Sequence, residues 1–465
     1  MIPILETDNQ EINMAYRLAI GDFFSNIAPF CDGLLCEKKP VMLAGMGYDT
    51  PWTRDAAINT WNGGGLLAPD VAKNTLLSVV IVENGKKRIG GEYWDAIIWA
   101  IGAYQLWLFT GDQEFHVLAS DVIVNSLRYF EETEFNEELN LFRGGSCYGD
   151  GISAYPDAYT TGESGFISFA DKRPELCIDR GVGIPIYTLS TNCLYFQAYR
   201  IAYQMTKNSE FLNKAEKMKE SINRHFWNEE TGLYDYIVDS FGGCSSQEGL
   251  GESFAILFGI ADARQISRIL KNMVVTTNGI PCLYPNFARY EKYGLGRHCG
   301  TVWPHVQVFW ADAVSKFDAD KFEHELMALT HNVLRDGYFS EIYHPETGER
   351  YGGVQEWRGN YTDTWKSEKR QMWCATGYIR MILFDLIGIR FEEDGIHICP
   401  NATKCVNKIS LYGLKYRNMI IDIVIGDKVG RNKEIVIPSS QSGHIKVSLN
   451  ANKAPQNGLE RVVEK

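Results

Sequence analysis

Three features of the 465-residue chain predict a mainly α fold, an (α/α)6 toroid of six helical hairpins with a small C-terminal β-sheet. Apolar residues recur at helical spacing from the start of the chain to about residue 388. The helices are of two kinds, some apolar nearly all round and some apolar on one stripe. Past Pro400 the spacing changes to alternation, as a strand requires.

Twelve helical segments follow one another at roughly 10–27, 52–62, 69–82, 93–110, 112–131, 186–206, 208–226, 247–259, 261–274, 302–316, 319–335 and 370–387. Residues 93–109, YWDAIIWAIGAYQLWLF, carry apolar side chains on every face, which a helix tolerates only when protein surrounds it. Thr110-Gly111-Asp112 then supplies a left-handed stop and an aspartate cap for the next helix. In 208–226, Phe211, Ala215, Met218, Ile222 and Phe226 form one stripe, and Lys214, Glu216, Lys217, Lys219 and Glu220 cover the rest, so this helix is peripheral. Hairpins that pair an internal with a peripheral helix close into a double ring, because each inner helix then meets apolar neighbours on all sides.

The intervening stretches 28–51, 132–185, 275–301 and 336–369 are rich in Gly, Tyr, Asp and Pro and exceed what a connection needs. Loops of that length build sites. After the helices, Met419, Ile421, Ile423 and Ile425 alternate with Ile420, Asp422, Val424 and Gly426, and strands follow at 434–437 and 444–447. The expected organisation is a catalytic toroid over 1–390, a β-appendage over 391–450 and a polar tail over 451–465.

With 45% hydrophobic and 12% aromatic residues the chain buries a large core. Its formal charge of −12 and the absence of any basic run longer than Lys86-Lys87-Arg88 argue against nucleic acid as a partner. No eighteen apolar residues run together and the N-terminus has no basic-then-apolar leader, so no membrane partner and a cytoplasmic location are expected, with a processed secreted form and homo-oligomerisation left open. The eleven cysteines are scattered and odd in number, which fits reduced thiols.

Several loops carry carboxylates among aromatic rings. Asp150 lies between two glycines in GGSCYGDGISAYPDAYTTGESG, beside Tyr148, Tyr155 and Tyr159, where desolvation would raise its pKa as a general acid requires. Asp157 and Glu163 compete on the same loop, and an Asp-Gly turn is the plainer alternative. Glu341, in DGYFSEIYHPETG, enters beside Phe339 and Tyr343 as a candidate base; Glu356 is its rival, and a solvent-facing glutamate the plainer alternative. Such a pair is what cleavage of an acetal between sugars needs, one acid for the leaving oxygen and one base for water. In YDTPWTRD, Trp52, Arg54 and Asp55 suit a sugar, whose hydroxyls pair with Arg and Asp and whose C–H face lies on an indole; a structural Arg54–Asp55 pair with Trp52 in the core is the alternative. Glu92 in GGEYWD, Trp303 and His305 in RHCGTVWPH and Trp373 in QMW repeat the pattern of glycine-rich loop, aromatic and polar group at a helix start. His298 and His305 are seven apart with no HExxH or paired CxxC, so packing rather than a metal explains them, and no nucleotide motif calls for a cofactor.

PWTRD, FSEIYHPETGERYGG followed by RQMWCATGYIRMIL, RHCGTVWPHVQVFWADA and GLKYRNMIIDIVIG together resemble the six-hairpin (α/α)6 glycosidases, most of all the inverting α-glycosidase family of processing α-glucosidase I and mannosylglycerate hydrolase. The resemblance spans most of residues 45–450. It implies that Glu341 activates water, that Asp150 acts as acid, and that Trp52, Arg54 and Asp55 hold the nonreducing sugar of a carbohydrate substrate. The expected activity is inverting, exo-acting release of a terminal α-glucosyl or α-mannosyl unit without a cofactor, with carboxyl groups about 6.5–9.5 Å apart. Where relatives show a Gly-Met-Asp-Asn-Ser-Pro-like run, this chain has Gly-Asp-Gly-Ile-Ser-Ala-Tyr-Pro. An epimerase or lyase using His298, His305 or Tyr284 as base, and a silent sugar-binding protein, are the alternative classes.

Overall fold

The computed structural model describes residues 2–91, 94–149, 151–157, 186–239, 243–355, 364–401, 403–426, 434–449 and 460–461. Twelve helices of seven or more residues stand among them: α1 Gln10–Ser25, α2 Thr53–Asn59, α3 Pro69–Ser78, α4 Trp99–Thr110, α5 Gln113–Thr133, α6 Leu189–Thr206, α7 Ser209–His225, α8 Gly249–Leu257, α9 Ala263–Asn272, α10 Pro304–Ser315, α11 Ala319–Asp336 and α12 Met372–Arg380. Each falls on one of the segments expected from periodicity, with α5 and α11 running slightly past the expected end.

The even-numbered helices are internal. Every residue of α2, α10 and α12 is buried. Along this set each helix packs on the next, α2 on α4, α4 on α6, α6 on α8, α8 on α10 and α10 on α12, and α12 packs back on α2. Odd-numbered helices cover them from outside: α1 lies on α12, α3 on α4, α5 between α4 and α6, α7 on α6 and α11 on α10. The stripe of α7 is the expected one, with Phe211, Ala215, Met218 and Ile222 buried. Gly111 ends α4 in the left-handed region at φ 69°, and the Asp112 carboxylate accepts the Phe115 N–H at 2.9 Å to begin α5.

Three segments read as helix contain strand, and the head of 247–259 is one of them, Gln247–Glu248 pairing with Leu283–Tyr284. Val80–Glu83 pairs with Lys86–Ile89 across Asn84-Gly85, where both turn residues have positive φ. The β-branched run and the Asn-Gly turn together outweigh the helical spacing there. Ile186–Thr188, at the head of the 186–206 segment, pairs with Ile237–Asp239. The helical period also does not reach the N-terminus, because Ile4–Thr7 is extended.

That N-terminal strand belongs to the C-terminal sheets. In chain order their strands are β1 Ile4–Thr7, β2 Ile389–Phe391, β3 Gly395–Ile398, β4 Ile409–Tyr416, β5 Met419–Ile425, β6 Ile435–Pro438, β7 Gly443–Leu449 and β8 Glu460–Arg461. The five-stranded sheet has the order β1-β4-β5-β7-β8 and the three-stranded one β2-β3-β6. Neighbours are antiparallel except β5 and β7, which run parallel with Ile421 opposite Ile445. Met419, Ile421, Ile423 and Ile425 point into the core as the alternation requires. No helix among the described residues is long and apolar enough to cross a membrane.

Candidate active site

The N-terminal ends of the inner helices α2, α4, α10 and α12, with the loops before α6 and after α11, supply the site. At the head of α2, Trp52 stands half exposed at the cap position, while Arg54 and Asp55 in the first turn are buried. Arg54 pairs beyond its own helix. Its Nη1 lies 2.6 Å from Oδ2 of Asp95, a fully buried carboxylate just before α4. The same oxygen accepts the Tyr148 N–H at 3.3 Å, tying the loop before α6 to the starts of α2 and α4.

Tyr148 holds a left-handed backbone at φ 63°, which for a bulky side chain costs about 1–3 kcal/mol and persists only where its surroundings over-determine it. Its N–H is taken by Asp95 and its ring lies 4.8 Å from that of His305 and 5.9 Å from Trp303. The glycines around position 150 serve close packing. A Cβ on Gly149 would collide with Ser146, and one on Gly151 with the Gln355 amide. Ser153 Oγ in turn donates to Gln355 Oε1 at 3.0 Å and meets His298 Nδ1 at 2.8 Å. Asp150 itself, with Glu92, Glu163 and Glu356, lies outside the described residues. Asp157 is described and engaged: its Oδ1 lies 2.7 Å from Arg289 Nη1.

Aromatic rings form a continuous wall. The imidazole of His305 stacks on Trp373 with centroids 4.2 Å apart, and His298 stacks on Trp303 at 5.0 Å. Trp303 and Trp373 meet edge to face at 6.3 Å. The Arg54 guanidinium sits 5.6 Å from the Trp373 ring and that of Arg297 5.4 Å from Trp303, both in cation–π range. His305 is fully buried, and burial with the Arg54 charge holds its pKa well below the usual imidazole value. Tyr284, by contrast, is exposed.

Glu341 reaches this wall from a short extended segment. Tyr343 exchanges backbone hydrogen bonds of 2.8 and 3.0 Å with Val302, just before α10, and this pairing sets Glu341 beside Arg297. The carboxylate is 3% exposed, not the solvent-facing strand end that was its plainer alternative. Tyr48 Oη donates to Oε1 at 3.1 Å, Arg297 Nη2 approaches the same oxygen at 3.4 Å, and the Glu368 N–H donates to Oε2 at 3.3 Å. Burial raises its pKa above the ordinary glutamate value, opposed by the Arg297 charge, the Glu368 N–H and the Tyr48 hydroxyl.

The described structure thus brings Arg54, Trp303, His305, Trp373 and Glu341 into one cluster, with Asp55 close enough for its charge to act on Tyr48. Tyr48, Asp95 and Arg297 belong to it as well and were not singled out from sequence. Tyr48 and Arg297 stand in motifs that were noted, but nothing local says which carboxylate they face. Among the described residues no group of three His, Cys, Asp or Glu side chains is placed to hold a metal ion.

The model of the family described as mannosylglycerate hydrolase MGH1-like glycoside hydrolase domain matches residues 198–369, which include α7 to α11 and Glu341. That stretch of the chain is similar to a glycoside hydrolase domain. No curated protein sequence matches it. Among solved structures, a sialidase superposes with a TM-score of 0.68 at 14% identity over 94% of this chain and 40% of its own. A GH78 family rhamnosidase of a Bacillus species follows at 0.60 and 12%, over 96% and 44%. The GH63 mannosylglycerate hydrolase of Thermus thermophilus, in complex with glucose, gives 0.59 and 13%, over 79% and 99%. The chain spans about two fifths of the length of the first two. At these identities the structures share a fold with this chain, and with the family match they bear out the six-hairpin glycosidase superfamily that the motifs resembled.

Proposed function

We propose that the twelve helices form an (α/α)6 toroid within residues 1–390, with 391–450 as an appendage that the N-terminal strand joins, and that the N-terminal mouth of the toroid hydrolyses a terminal α-glucosyl or α-mannosyl bond with inversion. Glu341 is the general base and Asp150 the general acid. The observation that carries this is the buried Glu341 carboxylate, oriented by Tyr48, Arg297 and the Glu368 N–H beside an indole wall. A base of this kind must be ionised and fixed in direction, and the three donors do both. On the acid side, Tyr148 packs on the same wall, and Gly149 and Gly151 pack tightly against Ser146 and Gln355. Trp303, His305 and Trp373 bound the place of the nonreducing sugar, Arg54 and Asp55 fix its hydroxyls, Trp52 stands at its rim, and Glu92 is a further substrate-binding residue. The mannosylglycerate hydrolase with glucose favours a small α-glycoside as substrate.

Glu341→Gln is expected to lower kcat on an aryl α-glucoside or α-mannoside by about 10²–10⁴-fold. Anomer-resolved detection of the first product should show the β-sugar. Full activity in Glu341→Gln removes the assignment of the base; an α-product removes inversion.

A further inference from the structure

Glu341 is carried by a short pairing of two chain segments, and the end of one outer helix grips both. Residues 339–341 run beside 368–371: the Glu341 N–H donates to the Glu368 carbonyl at 2.9 Å, and the Gln371 N–H to the Phe339 carbonyl at 3.0 Å. The pairing leaves two buried-side backbone groups over, the Phe339 N–H and the Arg370 carbonyl, which must find partners elsewhere. Both are met at the last turn of α1. Asp22 Oδ2 accepts the Phe339 N–H at 2.8 Å, and Asn26 Nδ2 donates to the Arg370 carbonyl at 2.7 Å. Asp22 Oδ1 also lies 3.8 Å from Arg370 Nε. Asn26 Nδ2 donates back to the Asp22 carbonyl at 2.9 Å, which ties the two residues to each other.

The same turn reaches a third part of the site. The Asn26 carbonyl accepts the Leu43 N–H at 3.0 Å, on the approach to Tyr48. The strand that holds Glu341, the segment whose Glu368 N–H meets its Oε2 and the segment that brings Tyr48 to its Oε1 are thus all referred to one point. Asp22 and Asn26 are buried. Arg370 holds a left-handed backbone at φ 50°, which in a non-glycine residue persists only where its surroundings impose it. Burial pushes the Asp22 carboxyl up to about 6, against the pull of the Phe339 N–H and the Arg370 charge, so at neutral pH it is mostly ionised and only accepts. An apolar side chain would avoid the cost of burying a charge. What the carboxylate adds is a fixed acceptor for one N–H two residues from the base.

We propose that Asp22 is a positioning residue for the reaction: through the Phe339 N–H it sets where the Glu341 carboxylate stands. This rests on Glu341 being the base. Asp22→Leu removes the acceptor, and Asp22→Asn keeps one in the same place, with the exposed Arg370 side chain free to turn from the new amide. On the aryl α-glycoside used for Glu341→Gln, Asp22→Leu is expected to lower kcat per folded molecule by about 10–100-fold with KM unchanged, as a displaced base would. Its acid limb should move to higher pH, because Tyr48 and the Glu368 N–H then hold the Glu341 charge less well while Arg297 remains. Asp22→Asn should keep most of kcat and the parent limb. If Asp22→Leu does not fold, Asp22→Ser, whose hydroxyl is too short to reach the Phe339 N–H, carries the same expectation. The proposal fails if kcat per folded molecule and the limb stay at the parent values in the variant without an acceptor, if KM rises in place of a fall in kcat, or if Asp22→Asn loses as much as that variant. Glu341→Gln keeps the two readings apart: full activity there removes the base, whereas loss there with parent-like kinetics in Asp22→Leu removes only the role of Asp22.

Discussion

Glu341 is a carboxylate whose environment pulls in two directions. Burial favours its neutral form, while Arg297, the Glu368 N–H and Tyr48 favour the charged one, and the balance leaves the pKa above the ordinary glutamate value. If the ionised form is the active base, kcat/KM falls as pH drops through that pKa. Removing a group that stabilises the charge moves the fall to higher pH. Tyr48→Phe and Arg297→Gln are therefore each expected to shift the acid limb upward, Arg297→Gln by about one unit because a full charge is lost. A limb that stays in place in both variants would mean that another group governs it. The candidate base was legible in sequence because a carboxylate among aromatics in a long loop is chemically unusual. Its partners were not, since Tyr48 lies 293 positions away and only the closure of the chain brings it near. Arg54 shows the same limit: the sequence places it beside Asp55, and the fold gives it Asp95.

At the scale of elements, the number and kind of helices follow from periodicity because burial on all faces and burial on one face leave different patterns in the chain. α2, α10 and α12 are buried throughout and α7 on one stripe, as the residues require. What periodicity missed are the short strands. Val80–Glu83 is too brief for two periods to be told apart, and β1 is extended because it pairs with β4, more than four hundred positions on. Close packing of inner helices also leaves a mark at Gly102 in α4, where an added Cβ would lie 2.8 Å from the Ala57 backbone of α2. A backbone cannot rotate aside as a side chain can. Gly102→Ala is expected to destabilise the protein by about 1–3 kcal/mol, read as a lower urea midpoint with unchanged slope. An unchanged midpoint would show that the two helices separate freely.

Across the whole molecule, the core holds carboxyl groups far from their solution behaviour. Burial pushes Glu248 and Glu325 up to about 8 and Asp22 to about 6. Each belongs to a different part of the helical ring, at the head of α8, in α11 and in α1. Because their folded pKa values exceed the unfolded ones, the native state holds protons that the unfolded chain has already released between about pH 4.5 and 8. Stability from these groups is complete below the unfolded pKa and is lost as pH rises through the folded value. Glu210, which the Arg128 and Lys214 hydrogen bonds hold at about 2, works the other way and loses its contribution in acid, but it is largely exposed and its effect is screened. The urea midpoint is therefore expected to be higher at pH 5.5 than at pH 8, with each fully buried group contributing on the order of 1 kcal/mol per pH unit within its window. Glu248→Gln with Glu325→Gln should make the profile above pH 5.5 shallower, since an amide carries no proton to lose, while leaving in place the Asp22 component between about pH 4.5 and 6 and those of Glu252 and Asp385, which burial also raises. A midpoint that rises between pH 5.5 and 8 in the parent, or a slope unchanged in the double variant, would mean that water reaches these carboxyls and that the ring of inner helices is looser than its packing implies.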